Sequence, residues 1–274
     1  MIRSLALLSA VCGAVGLVAS PADAGSGLED FVHLEVLDGG QTRSGTHRAA
    51  LRVVLADGWK TYWRAPGDSG IPPQFDWIGS SNIAQVSITW PTPEVFDQDG
   101  IRTIGYKHQM VLPLEIRAVE PGQPIRLKGE IEFGLCEDIC VPAVLSFDLP
   151  LDAGAPRSPA IAAALAERPF SADEAGVRAA TCRIIPSATG LKVEAMLTMP
   201  SAGGAEVAVI EPGDPQVWAS QAITRRQGEV LRVVSEVSHV SGSGFDLDPG
   251  RIRITVLGQN HAVDILGCSP SGGG

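Results

Sequence analysis

The chain has 274 residues, a formal net charge of −10 and 45% hydrophobic residues, with 31 glycines and 20 prolines spread along it. An acidic chain without a basic cluster excludes nucleic acid and anionic membrane surfaces as natural partners, and its acidity reads first as solubility. The hydrophobic share is enough for one large core or for two domains of about 120 residues each.

The N-terminus reads as an export signal. Met1-Ile2-Arg3 is a short basic start, Leu5 to Ala19 is an apolar run, and Ala22-Asp23-Ala24 is a small-residue cleavage site. Residues 1–24 are therefore set apart from the fold, and the mature protein is expected outside the cytoplasm. The run is short for a membrane span and no later stretch approaches ~20 apolar residues, so stable membrane insertion is not expected. Val11 is bulky where a lipoprotein signal needs a small residue, which argues against an anchor at Cys12. Once Cys12 leaves with the signal, Cys136, Cys140, Cys182 and Cys268 remain, an even number that suggests disulfides in an exported chain.

From Phe31 the pattern predicts strand after strand. Phe31 to Leu37 leads to a Gly39-Gly40 turn, His47 to Leu55 follows, and Asp57-Gly58 breaks it. Ile83 to Trp90, Met110 to Val119, Ile125 to Phe133 and Val144 to Leu151 complete the set. Between them, Trp59 to Trp77 reads as irregular, with Pro66, Gly67, Gly70, Pro72 and Pro73, and four of the five tryptophans fall between Trp59 and Trp90. After a Gly/Pro-bearing break at Asp152 to Arg157, Ser158-Pro159 opens a short alanine-rich helix to about Arg168, with serine as N-cap and proline in the first turn. Leu191 to Met199, Glu206 to Ile210, Val230 to Val237 and Arg251 to Leu257 predict a second set of strands. The expected fold is all-β: two tandem immunoglobulin-like β-sandwich domains, 25–153 and 171–268, joined by a short helical connector in 154–170. Residues 269–274 are expected to be a disordered tail. Cys182 and Cys268 open and close the second domain and are expected to form its structural disulfide.

The chemistry concentrates in Phe133-Gly134-Leu135-Cys136-Glu137-Asp138-Ile139-Cys140-Val141-Pro142. Two sulfurs bridge only when their Cα atoms lie roughly 4.4–6.8 Å apart. An extended chain would hold these two about 13 Å apart, so the chain between them must turn. A bridge across so small a loop removes little denatured-state entropy, which makes stability a weak reason for it. An exposed disulfide is also easier to reduce, which is what an electron carrier requires. Glu137 and Asp138 disfavour a thiolate beside them, so the pair should react when docked on a partner and not indiscriminately. Other readings stay open. The pair could be a structural small-loop disulfide, or two thiolates could join His108, and Met110, in holding copper(I) or zinc. The sandwiches could also be a non-catalytic adaptor that binds by strand addition. No resident metal or cofactor is called for, and Gly-x-Ser-x-Gly is absent.

With these residues in view, Phe31 to Leu151 resembles the N-terminal periplasmic domain of the DsbD/ScsB thiol:disulfide interchange proteins. The resemblance rests on Asp57-Gly58-Trp59-Lys60-Thr61-Tyr62-Trp63-Arg64, on Gly67-Asp68-Ser69-Gly70-Ile71-Pro72-Pro73, and on Trp90-Pro91 with Phe96. It continues through Gly105-Tyr106, Leu112-Pro113-Leu114 and Cys136-Glu137-Asp138-Ile139-Cys140-Val141-Pro142, and it is nearer the ScsB branch. It implies an immunoglobulin-like domain, in the periplasm, whose cysteine pair takes electrons from a thioredoxin-like or membrane-embedded donor. The pair would pass them to periplasmic proteins such as disulfide isomerases or cytochrome-maturation thioredoxins; roles in cytochrome c maturation and copper tolerance go with the same family. It further implies that Cys140 is the attacked and attacking sulfur, that Cys136 resolves, and that a loop near Phe96 to Gly100 caps the pair. Tyr62, Phe96 and Tyr106 would flank the site beside Glu137 and Asp138. Full-length family members continue into a membrane-embedded domain and a thioredoxin-like domain; nothing here resembles either, so the expectation is an excised or separately encoded periplasmic piece with its donor on another polypeptide, or else a different role.

Overall fold

The computed structural model describes residues 27–67, 69–98 and 100–270. The export signal read at 1–24 and the tail beyond Pro270 lie outside them. The first sandwich is built from β1 (Val32–Gln41), β2 (His47–Leu55), β3 (Lys60–Gly67), β4 (Gln74–Asp76), β5 (Gln85–Ile88), β6 (Glu94–Gln98), β7 (Ile101–Lys107), β8 (Gln109–Arg117), β9 (Ile125–Cys136) and β10 (Cys140–Leu151). One sheet runs β1-β2-β8-β5 and the facing sheet runs β10-β9-β3-β7-β6, with β4 also paired to β9. Val53 and Leu112 of the first sheet pack against Trp63, Ile131 and Phe133 of the second to make the core.

A helix, α1 (Pro159–Ala166), follows. Ser158 caps it, its Oγ accepting from the Ile161 amide at 3.4 Å, and Pro159 supplies a preset φ where no amide is needed. It does more than connect. Ile161 and Ala164 are buried against Ala50 and Val111, so the helix covers the outer face of the β2–β8 pair. The small Ala50 leaves the room that this approach requires.

The second sandwich contains β11 (Phe170–Ser171), β12 (Ala179–Pro186), β13 (Leu191–Thr198), β14 (Val207–Glu211), β15 (Val217–Ala219), β16 (Ile223–Gln227), β17 (Val230–His239), β18 (Arg253–Leu257), β19 (Ala262–Leu266) and β20 (Ser269–Pro270). Its sheets run β11-β19-β18-β14 and β15-β17-β13-β12-β20, with β16 also on β17. No strand is shared with the first sandwich, so the fold is the expected pair of tandem β-sandwiches around a helical connector. Leu257 and Ala262 nevertheless belong to the first sandwich's core cluster, which makes the apolar interior continuous between the two. No helix among the described residues is long and apolar enough to cross a membrane.

Three local expectations are corrected. The segment from Trp59 to Trp77 is not irregular: it contains β3, which lies between β9 and β7, and β4. The alternation that reveals a strand is missing because both faces of β3 are covered, leaving Lys60, Thr61, Tyr62 and Trp63 all buried. Gly39-Gly40 is not a turn between strands but a bulge inside β1, where Asp38 accepts from the Gly40 amide at 3.0 Å and the register shifts. At the other end, Ser269–Pro270 is ordered beside Thr181–Cys182 of β12.

Cys182 and Cys268 are bonded, with Cα atoms 5.6 Å apart and 86 residues of separation. Replacing both by serine should lower the free energy of unfolding by ~4–5 kcal/mol on the loop-entropy relation, read as a shifted urea midpoint, while the Cys136–Cys140 bond persists in peptide mapping.

Candidate redox site

β9 and β10 form a hairpin paired without a slip from Ile125↔Leu151 to Cys136↔Cys140. Glu137, Asp138 and Ile139 make the turn, closed by the Glu137 amide donating to the Ile139 carbonyl at 3.2 Å. The last pair of this ladder is the cysteine pair. Its Cα atoms are 4.2 Å apart and the sulfurs are bonded at 2.05 Å. Along β9 burial alternates until Phe133, after which Phe133, Gly134, Leu135 and Cys136 are all buried, because other chain segments cover both faces there. Cys136 is 0% exposed, whereas Cys140 on the outermost strand of the sheet is exposed.

What covers Cys136 is β3. Lys60 and Thr61 pair with Cys136 and Leu135, and the Thr61 hydroxyl donates to the Gly134 carbonyl at 2.9 Å. The Tyr62 hydroxyl then lies 3.0 Å from the Cys136 sulfur and 3.1 Å from the Cys140 sulfur. A disulfide carries no hydrogen, so the hydroxyl is the donor. Burial pushes the Tyr62 phenol above its ordinary value, so it keeps its proton across the range in which thiols titrate. A donor fixed on both sulfurs favours whichever becomes a thiolate.

Two glycines make this placement possible. A Cβ on Gly134 would sit 2.9 Å from the Tyr62 ring and 2.9 Å from Ile71, and a Cβ on Gly70 would sit 2.8 Å from the ring's other edge and 2.3 Å from Pro66. The ring therefore lies in a slot between two backbone segments that tolerate no side chain. A third glycine, Gly58, has φ +86 in the Asp57-Gly58 turn, and the Glu137 carboxylate folds over it, 2.6 Å from where a Cβ would be.

The other predicted residues are placed as follows. Asp138 is exposed in the turn. Phe96 is buried on β6, separated from β9 by the two strands β3 and β7, beneath the ammonium groups of Lys60 at 5.4 Å and Lys107 at 4.7 Å. The Lys60 Nζ also donates to Gln98 at 2.7 Å, and burial, then the nearby Lys107 charge, holds its pKa below the ordinary lysine value. The loop near Phe96 to Gly100 thus meets Lys60 and Lys107 while Cys140 stays open; Asp99 lies outside the described residues. Tyr106 does not join the sulfurs. It is a core residue whose hydroxyl donates to the Pro91 carbonyl at 2.8 Å, and burial drives its pKa up.

The alternative metal set is not assembled. Met110 is sealed in the core and His108 occupies the β7–β8 turn with φ 61. No group of three His, Cys, Asp or Glu able to hold a metal exists among the described residues. Lys60, Thr61, Gly70 and Gly134 are not among the expected site residues, although the quoted motifs contain them. Gly134 carried a readable signal, since a glycine inside an apolar strand marks a close approach.

Residues 35–151 match the family described as thiol:disulfide interchange protein DsbD, N-terminal. Among solved structures, the N-terminal periplasmic domain of ScsB from Proteus mirabilis aligns with a TM-score of 0.67 and 22% identity, covering 89% of this chain and 95% of that one. The reduced DsbD N-terminal domain from Neisseria meningitidis aligns over 49% of this chain and 95% of its own, with a TM-score of 0.27 and 20% identity. No curated protein matches the sequence.

Replacing Tyr62 by phenylalanine removes a hydrogen bond to a charged sulfur, worth about 1.5–3 kcal/mol. The reactive thiol pKa should rise by about 1–2 units, followed by alkylation rate against pH, and the disulfide should become harder to reduce. In Gly134→Ala the new methyl displaces the ring, which should cost about 1–3 kcal/mol of stability by urea denaturation and reproduce part of that pKa rise.

Proposed function

The first sandwich belongs, over residues 35–151, to the N-terminal domain family of the DsbD thiol:disulfide interchange proteins, and on that premise we propose that this chain relays electrons through Cys136 and Cys140. The domain division proposed with it is 25–153 for the redox sandwich and 171–268 for the second, around the 154–170 connector. The observation that carries the reading is the asymmetry of the pair, with one sulfur buried beneath a hydroxyl donor and the other open to an incoming protein. A purely structural staple has no use for it.

A donor thiolate attacks the exposed Cys140 sulfur. An intermolecular disulfide forms, the Cys136–Cys140 bond breaks, and its electron pair leaves on the Cys136 sulfur, towards which the Tyr62 hydroxyl donates. The donor's second thiolate then attacks its own sulfur in the mixed disulfide and expels the Cys140 thiolate. The donor leaves oxidised, and the pair has gained two electrons and takes two protons from solvent. Transfer onward runs the same steps in the other direction: Cys140 attacks an oxidised acceptor and Cys136 resolves. Ile139, 69% exposed beside Cys140, gives a docking protein an apolar foothold at the point of attack. The proposed partners are thioredoxin-like periplasmic proteins and a membrane electron-transfer protein. The proposed compartment is the periplasm, and cytochrome c maturation or copper tolerance are the settings the family suggests.

The test uses a thioredoxin-fold protein that retains only its exposed active-site cysteine, supplied as a mixed disulfide with a small aromatic thiol. Cys136→Ser should displace the small thiol and hold the partner through Cys140, seen as a stable adduct on non-reducing gels and mapped by mass spectrometry. Cys140→Ser should couple at least tenfold more slowly, because its remaining sulfur is buried. Equal coupling by the two variants, or none by either, would overturn the relay.

A further inference from the structure

The second sandwich meets β3 in the segment that follows Tyr62. β3 pairs with β7 at Lys60, Thr61 and Tyr62, then leaves the ladder and rejoins it at Gly67↔Thr103. On β7 only Ile104 lies between the partners of Tyr62 and Gly67, so the four residues Trp63 to Pro66 bulge away. This bulge begins directly after the tyrosine whose hydroxyl holds the sulfurs. Trp63 anchors it in the first sandwich's core, and Arg64 ties it to the second sandwich. Arg64 Nε and Nη2 donate to the two Glu211 carboxylate oxygens at 2.9 and 3.0 Å, and Nη2 also reaches the Thr255 hydroxyl at 3.3 Å. The pair is largely enclosed, with side chains 13% and 22% exposed. Arg64 in turn stacks 4.0 Å over the Trp63 ring, whose buried indole N–H has no acceptor, so the stacking and apolar packing hold that ring.

The same bulge walls a cleft of about 510 Å³ between the sandwiches, lined by Pro66 and Gly70 on one side and Val209 and Trp218 on the other. Gly70 meets the cleft and the Tyr62 ring at once. A second tie crosses nearby: Arg102 donates from two nitrogens to the Gln221 amide oxygen at 2.9 Å each, once that amide is oriented oxygen-inward.

We propose that Glu211 of the second sandwich is a positioning residue for the redox pair: by gripping Arg64 it fixes the β3 bulge and so keeps the Tyr62 hydroxyl on the sulfurs. This gives the second sandwich a part in the chemistry of the first, and it rests on the relay reading only for its purpose, since thiol ionisation can be measured without any partner. A cysteine pair at the rim of one sandwich is thereby tuned by a carboxylate in another.

The experiment is a double-mutant cycle on the full chain, reduced with a small dithiol, with thiol pKa read from alkylation rate against pH. Glu211→Gln should raise the reactive thiol pKa by half a unit or more in the native background and leave it unmoved in the Tyr62→Phe background, because its effect passes through the hydroxyl. Arg178→Gln, which breaks the exposed Arg178–Glu229 pair of the same sandwich, should change neither. Glu211→Asp should restore most of the native value. An equal shift in both backgrounds, or a folded Glu211→Gln protein with the native thiol pKa, would overturn the proposal. If instead the cycle behaves as expected but neither cysteine variant couples to a thioredoxin-fold protein, the positioning role stands and the relay falls.

Discussion

The register of the β9–β10 hairpin is the constraint on which the site depends. Side chains on a strand alternate between faces, so a slip of one residue would turn Cys136 and Cys140 to opposite sides of the sheet and no bond could form. Twelve consecutive pairs prevent that slip, from Ile125↔Leu151 to the cysteines themselves. The residues that enforce it are far from the sulfurs: Leu127, Ile131 and Phe133 on β9 and Ala143 and Phe147 on β10 are buried, and any slip would bring them out. The core of the sandwich therefore sets a covalent geometry at its rim.

The same hairpin makes the two sulfurs unequal. β9 is flanked on both sides, by β10 and by β3 or β4, while β10 ends the sheet. A cysteine at the end of the inner strand is covered; one at the start of the outer strand is not. Thiol–disulfide exchange proceeds by attack on one sulfur with departure of the other, so in the proposed relay this asymmetry would decide which sulfur is attacked. Tyr62 adds to it electrostatically. Its hydroxyl is a fixed dipole in a dry setting, where a donor to a forming anion is worth more than in water.

Much of this was legible in the sequence, though unevenly. His47 to Leu55 alternates and is β-branched towards its end, and it is a strand with those bounds. The helix announced itself through Ser158 and Pro159, because caps act locally. The cysteine spacing required a turn, and a turn is there. β3 and β7 were hidden for one reason: strands covered on both faces lose their alternation, and Thr61, Tyr62 and Trp63 look like any apolar loop rich in aromatics. Tyr62 and Tyr106 could not be separated in sequence, since each sits in a buried strand. Which one meets the sulfurs depends on the order of strands within one sheet, which puts β3 and not β7 beside β9. The contact of Arg64 with Glu211, across 147 residues of chain, has no local signal at all.

β3 reconciles two demands that pull against each other. Its pairing with β9 lasts only through Lys60 and Thr61, after which β4 takes over the β9 edge at residues 130–132. That hand-over opens the slot in which the Tyr62 ring lies against Gly134, so the tyrosine can reach the sulfurs only because the ladder stops there. A strand that has left its ladder must satisfy its side chains and backbone elsewhere or pull its neighbours out of place. In this chain the segment after Tyr62 turns to the second sandwich, where Glu211 and Thr255 receive Arg64. The break in the ladder that admits the Tyr62 ring is thus also what frees Arg64 to be held by the second sandwich.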